Sequence, residues 1–69
     1  MFDRKKFKAA IVLAGKRTSD VANMLDIDES TLHRKVANNG NFTRSEIEKM
    51  VEYLAIKEPN EIFFAKSLA

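Results

Sequence analysis

Residues 30 to 44 concentrate side chains that can donate or accept hydrogen bonds: Ser30, Thr31, His33, Arg34, Asn38, Asn39, Asn41, Thr43 and Arg44. An arginine fork matches a carboxylate, a phosphate or the edge of a guanine, whereas hydroxyls and amides serve acceptors and donors alike. Catalysis or metal binding would need more. His33 is the only histidine and there is no cysteine, so an imidazole site lacks partners and thiolate chemistry is excluded. Glu46, Glu48 and Glu52 read more simply as one solvated helix face than as an acid/base pair. No nucleophile, metal, cofactor or small-molecule signature stands out. The chemistry on offer is recognition, and an enzyme has no constellation behind it.

The elements that must position these groups are helices. Phe7, Ala10, Ile11 and Ala14 recur at i, i+3, i+4, i+7, with Asp3 near the start and Gly15 as a stop. A short second helix is expected in "TSDVANML", capped by Thr18 or Ser19, with Asp20 in its first turn. "DID" interrupts it, and Ile27 should pin that turn to the core. Asp28 is expected to cap a third helix with Leu32 and Val36 inward, ended by Asn38-Asn39-Gly40-Asn41, where Gly40 or an Asn adopts the left-handed conformation. Thr43-Arg44-Ser45-Glu46 has the form of a capping box, followed by Ile47, Met50, Val51 and Leu54 at helical spacing. Pro59 opens a short last helix, with Glu61 in its first turn and Ile62-Phe63-Phe64 at its end. The expectation is all-α: one domain over residues 1–69, a compact bundle of five short helices. Only Met1 and roughly Lys66 to Ala69 read as free ends.

A 69-residue chain without disulfides builds a small core, and such a core supplies only a few kcal/mol of net stability. Good helix packing, a partner subunit, or both must compensate. Net charge is +2, unevenly spread: residues 1–17 hold six bases against one acid, residues 18–40 two against four, and residues 41–69 four against five. The basic end either attracts a polyanion or is a solvated helix face. No apolar run approaches the ~20 residues of a bilayer span, and "AAIVLAG" reads as a core helix. No membrane association is expected.

"TSDVANMLDIDESTLHRKVA", residues 18 to 37, is the informative unit. Two short helices joined by a tight turn cross steeply only if a small residue, here Ala22, lets the backbones approach. The turn must also bury a side chain, here Ile27, so that the second helix stands proud. This stretch resembles the helix-turn-helix of Cro/CI-type (XRE-like) regulators. The continuation "LHRKVANNGNFTRSEI", then "YLAI" and "EIFFA", is similar to a subgroup of short phage- and prophage-encoded members. The resemblance covers roughly residues 7 to 65. Departures are Asp26 where glycine is usual, Arg17 at the second helix's cap, and Lys35 at a position often apolar.

The resemblance implies a lambda-repressor-like, sequence-specific double-stranded DNA-binding transcriptional regulator, a repressor that occupies operator DNA as a homodimer in the bacterial cytoplasm. On a helical wheel Leu32 and Val36 lie about 40° apart, which leaves Ser30, Arg34 and Ala37 outward and Thr31 and His33 on the edges. These five are the candidate base readers, with Arg34 bidentate to guanine worth about 1–3 kcal/mol of discrimination. Lys16, Arg17, Thr18, Asn39, Asn41, Thr43 and Arg44 are the candidate phosphate contacts. Ile62, Phe63 and Phe64 either close the core or form a dimer patch. A rival reading keeps the scaffold but makes it a protein-interaction module, such as an antirepressor. Asp26, Asp28 and Glu29 favour it, because they would oppose phosphates.

Overall fold

A computed structural model describes residues 1–64; the expected free end at Lys66 to Ala69 lies outside them. The described residues form five short helices and no strand: α1 (Arg4–Leu13), α2 (Thr18–Met24), α3 (Glu29–Ala37), α4 (Arg44–Tyr53) and α5 (Pro59–Phe63). None is long and apolar enough to cross a membrane.

Each start has a local cause. The Asp3 carboxylate accepts the Lys6 N–H at 3.0 Å and caps α1. At α4 the box is complete: Thr43 Oγ1 accepts the Glu46 N–H at 3.1 Å, and Glu46 Oε1 accepts the Thr43 N–H at 2.8 Å. Two expectations need correction. Neither Thr18 nor Ser19 caps α2. The cap position is Arg17, where the family pattern put it; it has no acceptor to offer, so Asp20 Oδ2 does the work by taking the Arg17 N–H at 2.8 Å. Asp28 does occupy the cap position of α3, but its side chain makes no cap hydrogen bond.

Three helices end in the same way. After α1, α2 and α4 a single left-handed residue reverses the chain: Gly15 (φ 69°), Asp26 (φ 58°) and Ala55 (φ 51°). In each case the next N–H reaches back to the helix: Lys16 to the Ile11 carbonyl at 3.1 Å, Ile27 to Ala22 at 3.0 Å, Ile56 to Val51 at 3.0 Å. These are Schellman closures. Asp26 therefore does what glycine would, as its short polar side chain permits. Ala55 does so without that help, and nothing in its residue type announced it.

The core gathers Phe7, Ile11, Val21, Ala22, Leu25, Leu32, Met50, Leu54, Ile62 and Phe63. Val21, Leu32 and Met50 are fully enclosed. Ala22 is buried and Ile27 packs against the core from the turn, so α2 and α3 approach closely. One end of the molecule is closed by four phenylalanines. Phe2, Phe7, Phe42 and Phe63 all touch one another, with ring centroids 5.3 to 6.3 Å apart. Edge and tilted contacts of this kind add to the burial itself. The run "AAIVLAG" is less central than expected. Ile11 is buried, but Val12 and Leu13 are 73% and 87% exposed.

Candidate nucleic-acid interface

The outward face of α3 is set from within. Leu32 is fully enclosed and Val36 packs beside it, which turns Ser30, Arg34 and Ala37 to solvent. His33 is also exposed, with its Nε2 3.6 Å from the Glu29 carboxylate one turn back. Thr31 is half-buried at the opposite edge. The basic run His33-Arg34-Lys35 is thus no cluster. His33 leans on Glu29 and Lys35 turns into the body, so of these three only Arg34 makes no ion pair with another described residue. An exposed, unpaired guanidinium can donate two parallel hydrogen bonds without first breaking an internal one.

The flanking candidates divide. Arg17 and Arg44 are exposed, Arg44 with its Nε 3.4 Å from Glu48 Oε1. An exposed pair of this kind is weak, so Arg44 can exchange Glu48 for another anion at little cost. Lys16 is half-buried and its ammonium lies 4.9 Å from the centre of the Tyr53 ring. A phosphate would have to draw it off that face. Thr18 is half-buried in the first turn of α2. Thr43 is engaged as a cap. Asn39 and Asn41 are exposed, but the loop uses part of each: Asn39 Oδ1 accepts the Phe2 N–H at 3.4 Å, and the Asn41 N–H reaches the Lys35 carbonyl at 3.0 Å. Asn41 thus presents side chain rather than backbone amide, whereas Asn39 has its side-chain oxygen engaged.

Of the triplet expected either to close the core or to form a dimer patch, two members close the core. Ile62 and Phe63 are 6% exposed and belong to the core of the single chain, where Asp3 N–H also bonds the Ile62 carbonyl at 2.7 Å. Phe64 is the exposed member, at 57%. It borders a groove of about 730 Å³ whose apolar wall is Phe42, Ile47, Val51 and Pro59.

No protein-family model matches the chain, and no curated protein or solved structure shows significant similarity to it.

Two residues near the site were read differently from their sequence. Glu46 is not part of a solvated face with Glu48 and Glu52. It is half-buried, and its Oε1 lies 3.5 Å from Lys35 Nζ. Burial pushes its carboxyl pKa up, but the Thr43 N–H and the Lys35 ammonium outweigh that and hold it below the ordinary 4.5. Lys35 follows Leu32 by three residues, so its stem faces the body. That spacing was the available signal. Phe2 gave none, since nothing local to the first three residues says that they fold back on a loop thirty-seven positions away. Among the described residues no group of three or more His, Asp or Glu side chains is placed to hold a metal ion.

Proposed function

We propose that the chain is a sequence-specific double-stranded DNA-binding regulator of Cro/CI type, with α2 and α3 as a helix-turn-helix and α3 entering the major groove. The observation that carries the reading is the exposed, unpaired Arg34 on a helix anchored by Leu32, with Arg17 and Arg44 exposed on the elements before and after it. Ser30, Thr31, His33, Arg34 and Ala37 read base edges, and Ala37 suits a thymine methyl. Arg17, Arg44, Asn39 and Asn41 hold the phosphate strands, with Lys16, Thr18 and Thr43 behind them. A twofold dimer would read a palindrome. The exposed Phe64 beside an apolar groove supports self-association on a repressor's operator.

Selection of bound duplexes from a random pool tests this. The expected product is a palindrome with half-sites about one helical turn apart. With it in hand, Arg34→Ala should weaken operator binding far more than random-duplex binding. Equal loss on both sinks base reading by Arg34, and no enrichment at all sinks the DNA reading. The rival, a protein-interaction module, draws on a polar notch beside the start of α3, formed by Asn23, Asp26, Ile27, Asp28 and Thr31. Its carboxylates repel phosphates. A stoichiometric protein partner together with no affinity for any duplex would favour it.

A further inference from the structure

We propose that Lys35 and Glu46 form a positioning pair that fixes the orientation of α3 against α4 and holds the Asn38–Phe42 loop closed. Neither residue belongs to the outward face, and neither is needed as a DNA contact. Their role in recognition rests on the DNA-binding reading; their structural role does not.

Lys35 grips the loop from both sides. Its backbone carbonyl accepts the Asn41 N–H at 3.0 Å, and its ammonium reaches Glu46 Oε1 at 3.5 Å, across the loop and into the first turn of α4. That same oxygen accepts the Thr43 N–H at 2.8 Å. One carboxylate atom therefore ties together the last turn of α3, the cap of α4 and the loop between them. The side chains are only 25% and 17% exposed, so the pair is less screened than a surface ion pair. The other ion pairs of the described residues lie on side chains at least 52% exposed, where such contacts fix little. The consequence for geometry is direct. Leu32 and Val36 seat α3 on the core along one apolar stripe, and a helix held along one stripe can still rock about it. A polar tie at Lys35, off that stripe and fastened to α4, sets its tilt. Recognition of base edges tolerates little misplacement, because bidentate hydrogen bonds need both atoms in register.

The test uses Lys35→Met, which keeps the apolar stem, and Glu46→Gln, which keeps an oxygen for the Thr43 N–H while removing the charge. Lys35→Arg serves as the conservative rescue. Residual dipolar couplings are measured on the free proteins. In wild type, α3 and α4 should report one common alignment. In Lys35→Met and Glu46→Gln the couplings of α3 should shrink relative to those of α4, and Asn41 amide exchange should quicken about tenfold. Lys35→Arg should restore both. Unchanged couplings in both variants overturn the positioning role whether or not any duplex binds, so this arm decides independently of the DNA reading.

On a selected duplex, Glu46→Gln separates positioning from plain electrostatics. Removing a negative charge should by itself tighten binding to every duplex. A positioning role instead predicts that the operator-to-random affinity ratio falls about fivefold, while random-duplex binding holds or rises. An unchanged ratio with uniformly tighter binding overturns the role in recognition. A wild type that binds no duplex removes the DNA reading and leaves the coupling measurement to decide the clasp.

Discussion

The two ends of α3 are made differently. The turn before it closes on one left-handed residue, Asp26, with the next N–H reaching Ala22 and a single apolar side chain, Ile27, pressed on the core. No polar side chain is needed, and even Asp28 makes no cap bond. The loop after it spends two successive left-handed residues, Asn39 (φ 58°) and Gly40 (φ 67°), and its return bond comes one residue later, from Asn41. A wider turn of this kind does not hold itself. It is held by Lys35 and Glu46 on one side and by Phe2 on the other, whose ring lies where a β-carbon on Gly40 would go. The first turn is local and self-sufficient. The second is a joint of three distant segments. Only the second can be loosened by a change elsewhere in the chain.

Substituting Gly40 should break the comparison most sharply. Gly40→Ala meets both a left-handed backbone and the Phe2 ring, and should cost about 2–4 kcal/mol in urea unfolding. Phe2→Ala should cost about 2 kcal/mol and should quicken amide exchange in residues 38–42 but not in 25–28. Combining the two should cost less than their sum, because removing the ring vacates the space that the new β-carbon needs. Full additivity would mean that Phe2 does not brace the loop. At the self-sufficient turn the sign reverses. Asp26→Gly relieves only a backbone conformation and should be neutral or stabilising by up to about 1 kcal/mol. A clear loss there would show an Asp26 contact that the turn depends on.

The smallest effect is acid sensitivity. The Glu46 carboxyl sits below its ordinary 4.5 in the folded chain. A depressed pKa contributes stability that is full above that value and is lost as pH falls through the folded pKa. The stability gap between wild type and Glu46→Gln, expected at or below about 1 kcal/mol, should therefore be constant near neutrality and shrink below pH 4.5. A gap that widens on acidification would reverse the assigned sign.

Legibility from sequence followed the same division. The five helices, the inward Leu32, the small Ala22, the left-handed Asp26 and the box at Thr43 and Glu46 were all readable, since each depends on neighbours within one or two turns. The outward set Ser30, Arg34 and Ala37 followed from helical period once Leu32 was inward. Less readable were the fates of charged and aromatic side chains that choose among distant partners. Lys35 read only as a charge at a position often apolar, and Glu46 beyond its cap as one member of a solvated acidic face. Ile62 and Phe63 could equally have been surface, because an apolar triplet at a helix end does not say which side meets α1.

What the residues determined alone is therefore the local frame: helix phase, the caps at Asp3 and Thr43, the turn at Asp26 and the face α3 turns outward. These are fixed by backbone sterics and hydrogen bonds between near neighbours. The tertiary structure alone decided which of the exposed-looking groups are spent internally: Lys16 on Tyr53, Lys35 on Glu46, Asn39 on Phe2. Long flexible or amide side chains have several comparable partners within reach. The selection is made by which segments the shared core brings side by side.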